Sequence, residues 1–238
     1  MKLIRGFAIL ALGAAALLAL PKAQADTNWG TMDVQVWVAP GSAIAQLPHP
    51  VPNAVPTYSF NYTGDLNFVN PNPNGGSNTF GDFFNIYSSG ITNFLSHKAG
   101  VSSTTDFLAQ LMSVPNGLGN NNGTCTTACT FMHFSGNFTN GMWFETVTSD
   151  DGSSLYMNGV NVVSMPQPQS PNSKTGVNTA SSGTFDLVYI EANGSPAELV
   201  VTGATPEPGS LLLLGTGLLG LAVFVLRRAK QPMFMPRW

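Results

Sequence analysis

The stretch TSDDGSSLYMNG, residues 148–159, places two adjacent carboxylates, Asp150 and Asp151, on a Gly-Ser turn ahead of a short hairpin. Three roles suit such a pair: holding a calcium ion, acting as an acid/base couple, or solvating a bend. Adjacent carboxylates repel unless a cation or a proton intervenes. Calcium is a hard cation that takes roughly six to eight oxygen ligands. An EF-hand is excluded, because the sequence has no D-x-[DN]-x-[DN]-G and no Glu twelve positions into the loop. The turn role needs no ligand, since Asp and Gly supply local hydrogen bonds and permissive φ.

Other residues capable of chemistry are sparse. Cys125 and Cys129 stand in CTTAC, inside an Asn/Gly/Thr-rich loop. Two thiols fall short of the four ligands of a structural zinc site. In an oxidising compartment the expected state is a local disulfide, whose short loop confers modest stability. His49, His97 and His133 are scattered, and His133 falls in a strand-like run. G-x-S-x-G, H-E-x-x-H and G-x-x-x-x-G-K-[ST] are all absent. Asp150 with Glu145 has the residue types of a glycosidase pair, but two carboxylates near one strand end are a common coincidence. No enzyme is expected.

The two ends of the chain give its address. Lys2 and Arg5 precede an apolar run, and AQA at 23–25 offers a small-residue cleavage site. Residues 1–25 therefore read as a secretory signal peptide cut before Asp26. Residues 209–226 carry no charge, enough for a short transmembrane helix. Arg227, Arg228 and Lys230 follow, which puts that side in the cytoplasm, with 231–238 as a short cytoplasmic tail. GTGLLG at 215–220 matches G-x-G-x-x-G, yet it lacks the preceding strand and the later acidic residue of a dinucleotide site. Pro206-Glu207-Pro208, the apolar span and Arg227-Arg228 together resemble the PEP-CTERM sorting signal of exopolysaccharide-producing Gram-negative bacteria. That resemblance, covering 206–230, implies recognition by an exosortase-type processing enzyme in the membrane. It also implies anchoring in the inner membrane before processing, then the cell surface or extracellular matrix.

Between these ends lie residues 26–205, enough for one domain with a real core. The net charge of −3 hides a division: residues 26–205 hold eleven carboxylates against Lys98 and Lys174. A phosphate backbone needs Lys and Arg, so nucleic acid is a poor partner. Strand-like alternation runs through 32–38, 142–148, 154–157, 160–163, 184–192 and 197–202. Asn158-Gly159 predicts a type I′ hairpin turn. Residues 104–112 predict the one short helix, with Thr105 as its cap. Residues 39–80 are Pro/Asn/Gly-rich and yield no readable element. The expected fold is an all-β sandwich with one short helix, its core including Trp143, Val147, Leu155, Leu187 and Val201, plus the C-terminal transmembrane helix.

HFSGNFTNGMWFETVTSDDGSSLYMNGVNVV (133–163) and TFDLVYIEANGSPAELVVT (184–202) resemble the centre and later strands of a PA14-type domain. Tyr189 and Glu191 match its Y-x-E, and Glu145 stands where an inward Phe is common. In sugar-binding members the paired aspartates bind Ca²⁺ at a loop tip and the sugar hydroxyls complete the coordination. Some members hold the pair through a cis peptide. The resemblance thus implies a PA14-like β-sandwich over 26–205 that binds carbohydrate through Ca²⁺ on Asp150 and Asp151. Strand 154–157 carries Asn158 to the opposite end, where it is no ligand. Strand 160–163 returns, so loop 164–183 begins near the aspartates and offers Asn172 and Asn178 as further oxygen donors. Two functions follow: a surface-displayed calcium-dependent carbohydrate-binding module associated with exopolysaccharide, or a structural matrix or surface protein with no defined ligand.

Overall fold

Strict alternation of apolar and polar residues builds the first strand. β1 (Thr31–Ser42) buries Met32, Val34 and Val36 while Thr31, Asp33 and Gln35 face out, as the two-residue period of a strand requires. It runs past the expected end at residue 38. The computed structural model describes residues 29–42, 44–48, 55–70, 78–84, 90–112, 124–139, 144–180, 182–192 and 196–204, with 215, 217–222 and 225–226 further on.

The Pro/Asn/Gly-rich stretch contains two more strands. β2 (Tyr58–Thr63) turns Tyr58, Phe60 and Tyr62 inward, and β3 (Asn67–Asn70) buries Phe68. A helical turn follows, α1 (Phe80–Phe84), then β4 (Ile91–Ser96). The expected helix at 104–112 is shorter, α2 (Thr104–Leu108), and its cap is Ser103 rather than Thr105. The Ser103 hydroxyl accepts from the Asp106 amide while the Asp106 carboxylate accepts from the Ser103 amide. This reciprocal box satisfies two helix-end donors and places the cap two residues before Thr105, with the helix starting at Thr104 as expected. The expected short helix is thus present, with the helical turn α1 beside it in the described domain.

The second half supplies β5 (Thr124–Thr139), β6 (Phe144–Asp150), β7 (Ser153–Met157), β8 (Val160–Met165), β9 (Asn172–Val177), β10 (Ser182–Glu191) and β11 (Ala197–Ala204). CTTAC is no loop but the beginning of β5. The expected loop 164–183 contains β9. Seven strands form one sheet in the order β4-β2-β1-β5-β10-β7-β8, and four form the other, β3-β11-β6-β9. All described pairings are antiparallel.

The sheets enclose a core in which Val147, Leu155, Leu187 and Val201 are buried as expected; Trp143 lies outside the described residues. At the β2, β3 and α1 side the core is aromatic. Phe68 packs edge-on to Tyr62 and Phe84, and Phe80 stacks on Phe107 at 4.5 Å between centroids. A smaller cluster of Trp37, Ala45, Cys125, Cys129, Phe131, Val188, Ile190 and Ala192 covers the outer face of the large sheet. It lies under the segment after β1, which is pinned by Ala45 N–H to Pro166 O (2.8 Å) and Leu47 N–H to the Tyr156 hydroxyl (3.0 Å).

Residues 206–238 form a separate compact unit. Residues 215, 217–222 and 225–226 are helical. Among the described residues no helix is long and apolar enough to cross a membrane, and the rest of the expected span 209–226 lies outside them. The expected signal peptide, 1–25, also lies outside the described residues.

Candidate functional site

The chain changes sheets at the aspartates. β6 ends at Asp150 in the small sheet and β7 begins at Ser153 in the large one. The Asp150–Asp151 peptide bond is cis. Gly152 lets a neighbouring segment approach closely: a methyl group there would stand 2.6 Å from the Pro166 carbonyl oxygen and 3.0 Å from that of Gln167. Any larger residue would push the segment after β8 away from the carboxylates.

Both aspartates are buried, Asp150 at 5% and Asp151 at 0% exposure. Asp151 Oδ2 accepts from the Ala192 amide at 2.6 Å. The Tyr189 hydroxyl lies 2.5 Å from the Asp150 carbonyl oxygen and 2.8 Å from Glu191 Oε2, so one phenolic proton faces two acceptors. Ile190 N–H reaches the Gly152 carbonyl at 2.9 Å, and the Ser149 and Ser153 hydroxyls bond at 2.8 Å. The end of β10 is thereby laced to the sheet-changing turn. Sequence spacing hides this, because 150–152 and 189–192 meet only through the pairing of β7 with β10.

Electrostatically the site is short of positive charge. Burial pushes the Asp150 carboxyl up to about 7, with Asp151 and then Glu198 adding to the rise. Glu198 stands directly opposite Asp150 in the β11–β6 ladder, where like charges destabilise a strand pair. Sequence reasoning missed Glu198; register makes it visible. Burial, followed by the Glu191 and Asp151 charges, drives the Tyr189 phenol well above its ordinary value. It therefore remains a hydrogen-bond donor.

The two asparagines expected beside the pair separate. Asn172 opens β9 opposite Ser149, one residue from Asp150. It is exposed, its Nδ2 on Gln169 Oε1 and its Oδ1 on the Ser173 amide. Asn178 follows Val177, which faces Phe144 at the other end of β6, about 20 Å from Asn172 at the usual strand rise. It closes a local turn with Ala180 instead. Asn178 is therefore not a ligand beside Asp150; the strand β9 within the expected loop carries it away. Asn158 sits at the tip of the β7–β8 hairpin, away from the aspartates, with φ of 50° followed by 77° at Gly159.

Glu145 does not approach Asp150. It points between the sheets with Val147, whereas Asp150 follows the opposite phase of the strand. The Cys125–Cys129 disulfide is formed, with Cα atoms 5.7 Å apart. His133 lies on the outer face of β5, bonded to Asp186 at 2.9 Å.

The donor chemistry suits a hard cation in part. Two adjacent carboxylates, that of Asp150 with raised proton affinity, and nearby backbone carbonyls are oxygen donors of the kind calcium takes. Among the described residues no group of three or more Asp, Glu, His or Cys side chains could hold a metal ion. Further ligands would be carbonyl, amide or water oxygens.

A search of curated proteins finds no match to the chain. Among solved structures it is similar to the PA14 sugar-binding domain from an RTX adhesin, with a TM-score of 0.40 and 15% identity, over 72% of this chain and 88% of that one. It is similar to the PA14 domain of the MpAFP antifreeze protein at a TM-score of 0.45 and 13% identity, over 81% and 90%. A β-glucosidase from Kluyveromyces marxianus in complex with glucose gives 0.33 and 8%, over 74% of this chain and 16% of the enzyme. Residues 204–229 match the PEP-CTERM protein-sorting motif, so the carboxyl end of the chain carries a sorting signal of exported proteins.

Proposed function

We propose that the exported domain is a surface-displayed module that binds Ca²⁺ through Asp150 and Asp151 and takes up carbohydrate hydroxyls at the ion. The observation that carries this reading is the buried carboxylate pair itself, with Glu198 opposite and the Asp150 carboxyl raised to about 7. Such an arrangement binds either a proton or a cation. Within it the chain's own groups have distinct tasks. The Ala192 amide orients Asp151, the Tyr189 hydroxyl fixes the Asp150 carbonyl, and Gly152 admits the carbonyl-bearing segment at Pro166 and Gln167. When bound, calcium would supply open coordination positions for vicinal hydroxyls. The sorting motif at 204–229 supports processing by an exosortase-type enzyme, membrane anchoring before it, and association with exopolysaccharide afterwards.

A second reading has its own support. Both aspartates are nearly sealed from solvent and Asp151 is already engaged by Ala192, which suits a structural turn in a matrix or surface protein with no ligand.

Scanning calorimetry of the full chain separates the two. A ligand that binds only the folded form stabilises it by about 2.7 kcal/mol at a hundredfold excess over Kd. Melting temperature should rise as calcium goes from chelated to millimolar. The Asp150→Asn/Asp151→Asn variant should fold and lose that response. A wild type indifferent to calcium leaves the structural turn as the function of the pair, and the carbohydrate reading falls with the ion.

A further inference from the structure

The Cys125–Cys129 disulfide lies at the same end of the large sheet as the aspartates, on β5, with β10 between it and β7. β5 pairs with β10 only as far as Thr130, which faces Glu191. Beyond that point the beginning of β5 pairs with β1, and unevenly: Ala39 faces Cys129 and Gly41 faces Cys125. Pro40 alone therefore spans the gap that residues 126–128 fill on β5. Proline has no N–H to offer the ladder, and a bulge leaves backbone pairing locally unmade. The disulfide closes the two ends of this bulge.

Its contribution to global stability is small, because four residues of sequence separation remove little chain entropy compared with a long loop. Its position is more telling. Cys125 and Cys129 are both buried, in one cluster with Ile190 and Ala192. The Ala192 amide is the donor that holds Asp151 Oδ2. Thr130, next to Cys129, is opposite Glu191, whose carboxylate shares the Tyr189 hydroxyl with the Asp150 carbonyl. Bulges beside functional sites re-aim neighbouring groups.

We propose that the Cys125–Cys129 disulfide is a positioning element for the carboxylate pair: by fixing the bulge of β5 it fixes the end of β10, and so the amide that orients Asp151. The consequence for ion binding rests on the calcium reading above; the orientation of Asp151 does not.

The test uses the full chain and the Cys125→Ala/Cys129→Ala variant, both free of calcium, with amide hydrogen exchange as the readout. The Ala192 amide should exchange about tenfold faster or more in the variant, as expected for local loosening. The Asn158 amide, bonded to Thr184 O at the far hairpin, should keep its wild-type rate. Unchanged exchange at Ala192, or equal acceleration at both amides, overturns the proposal. Should the variant not fold, wild type folded and then held in reductant gives the same comparison with the same outcomes. In calorimetry the variant should show a smaller calcium-dependent rise in melting temperature than wild type. A wild type with no calcium response removes the ion reading, while Ala192 exchange still decides the role of the disulfide.

Discussion

Glu145 and Asp150 occupy the two ends of the same strand, and burial raises both carboxyls, to about 8 and about 7. Their surroundings differ in kind. Glu145 points into the core beside Val147, fully buried, with neither oxygen hydrogen-bonded. Its neighbours across the ladder, Gly203 and Gly176, present no side chain. Lys174, opposite Val147, directs its ammonium to the Ser164 carbonyl instead. Asp150 belongs to a knit group in which Tyr189, Ala192 and Glu191 tie the turn together and two further carboxylates stand close. Burial alone makes Glu145 a neutral acid at neutral pH. Around Asp150, burial acts together with like charge, and that second cause is one a cation can remove. High proton affinity from burial alone thus gives a cation nothing to relieve, whereas gathered carboxylates would give it their repulsion.

The largest expected effect tests the Glu145 half of this contrast. A carboxyl raised from 4.5 to about 8 on folding binds more protons in the folded than in the unfolded chain between those values. Stability from this group is therefore intact below about pH 4.5, falls as pH rises through the window, and levels off above about 8. Urea melts at about pH 5 and about pH 9 should differ by on the order of 3 kcal/mol more in wild type than in Glu145→Gln. Gln keeps the shape and cannot ionise. Equal pH dependence in the two proteins would show that Glu145 finds a partner on ionising, and the contrast would collapse.

A smaller effect tests the knit group. Tyr189→Phe removes one hydroxyl and leaves the buried Asp150 carbonyl and Glu191 carboxylate without its proton. The expected loss is about 2 kcal/mol by denaturant melts. A loss under about 0.5 kcal/mol would mean that the turn is held by packing alone.

How much of this was legible depended on whether the causes were local. The hairpin at Asn158-Gly159, the strands around it and the paired aspartates are written in short windows, where alternation and turn chemistry suffice. β2 and β3 escaped because Pro, Asn and Gly flank short aromatic runs whose alternation is only three inward residues long in β2. The Ser103 cap escaped because Thr105 has an equally suitable side chain; the return bond from Asp106 decided between them. Asn178 was misplaced because a run rich in Pro, Ser and Asn conceals β9, and one strand carries it about 20 Å. Glu198, Ala192 and the Tyr189 hydroxyl reach the aspartates only through ladder register. Sequence separation alone does not contain that register.

The smallest effect comes from the far hairpin and checks that the two ends of β7 act independently. Asn158 adopts φ of 50°, a left-handed conformation that Asn tolerates better than Ala. Its Oδ1 accepts from the Thr184 amide at 2.9 Å, so the side chain also joins the hairpin tip to the start of β10. Asn158→Ala should cost about 1 kcal/mol, from one exposed hydrogen bond and an unfavourable φ. The turn lies a strand's length from Asp151, and sites more than about 7–10 Å apart without shared partners add independently. The variant should therefore melt lower and show the same shift as wild type between chelated and millimolar calcium. A combined Asn158→Ala/Tyr189→Phe chain should lose the sum of the two single effects. A departure from additivity beyond about 0.5 kcal/mol would mean that β10 transmits strain from the hairpin to the carboxylates, and the two ends would have to be treated as one cooperative unit.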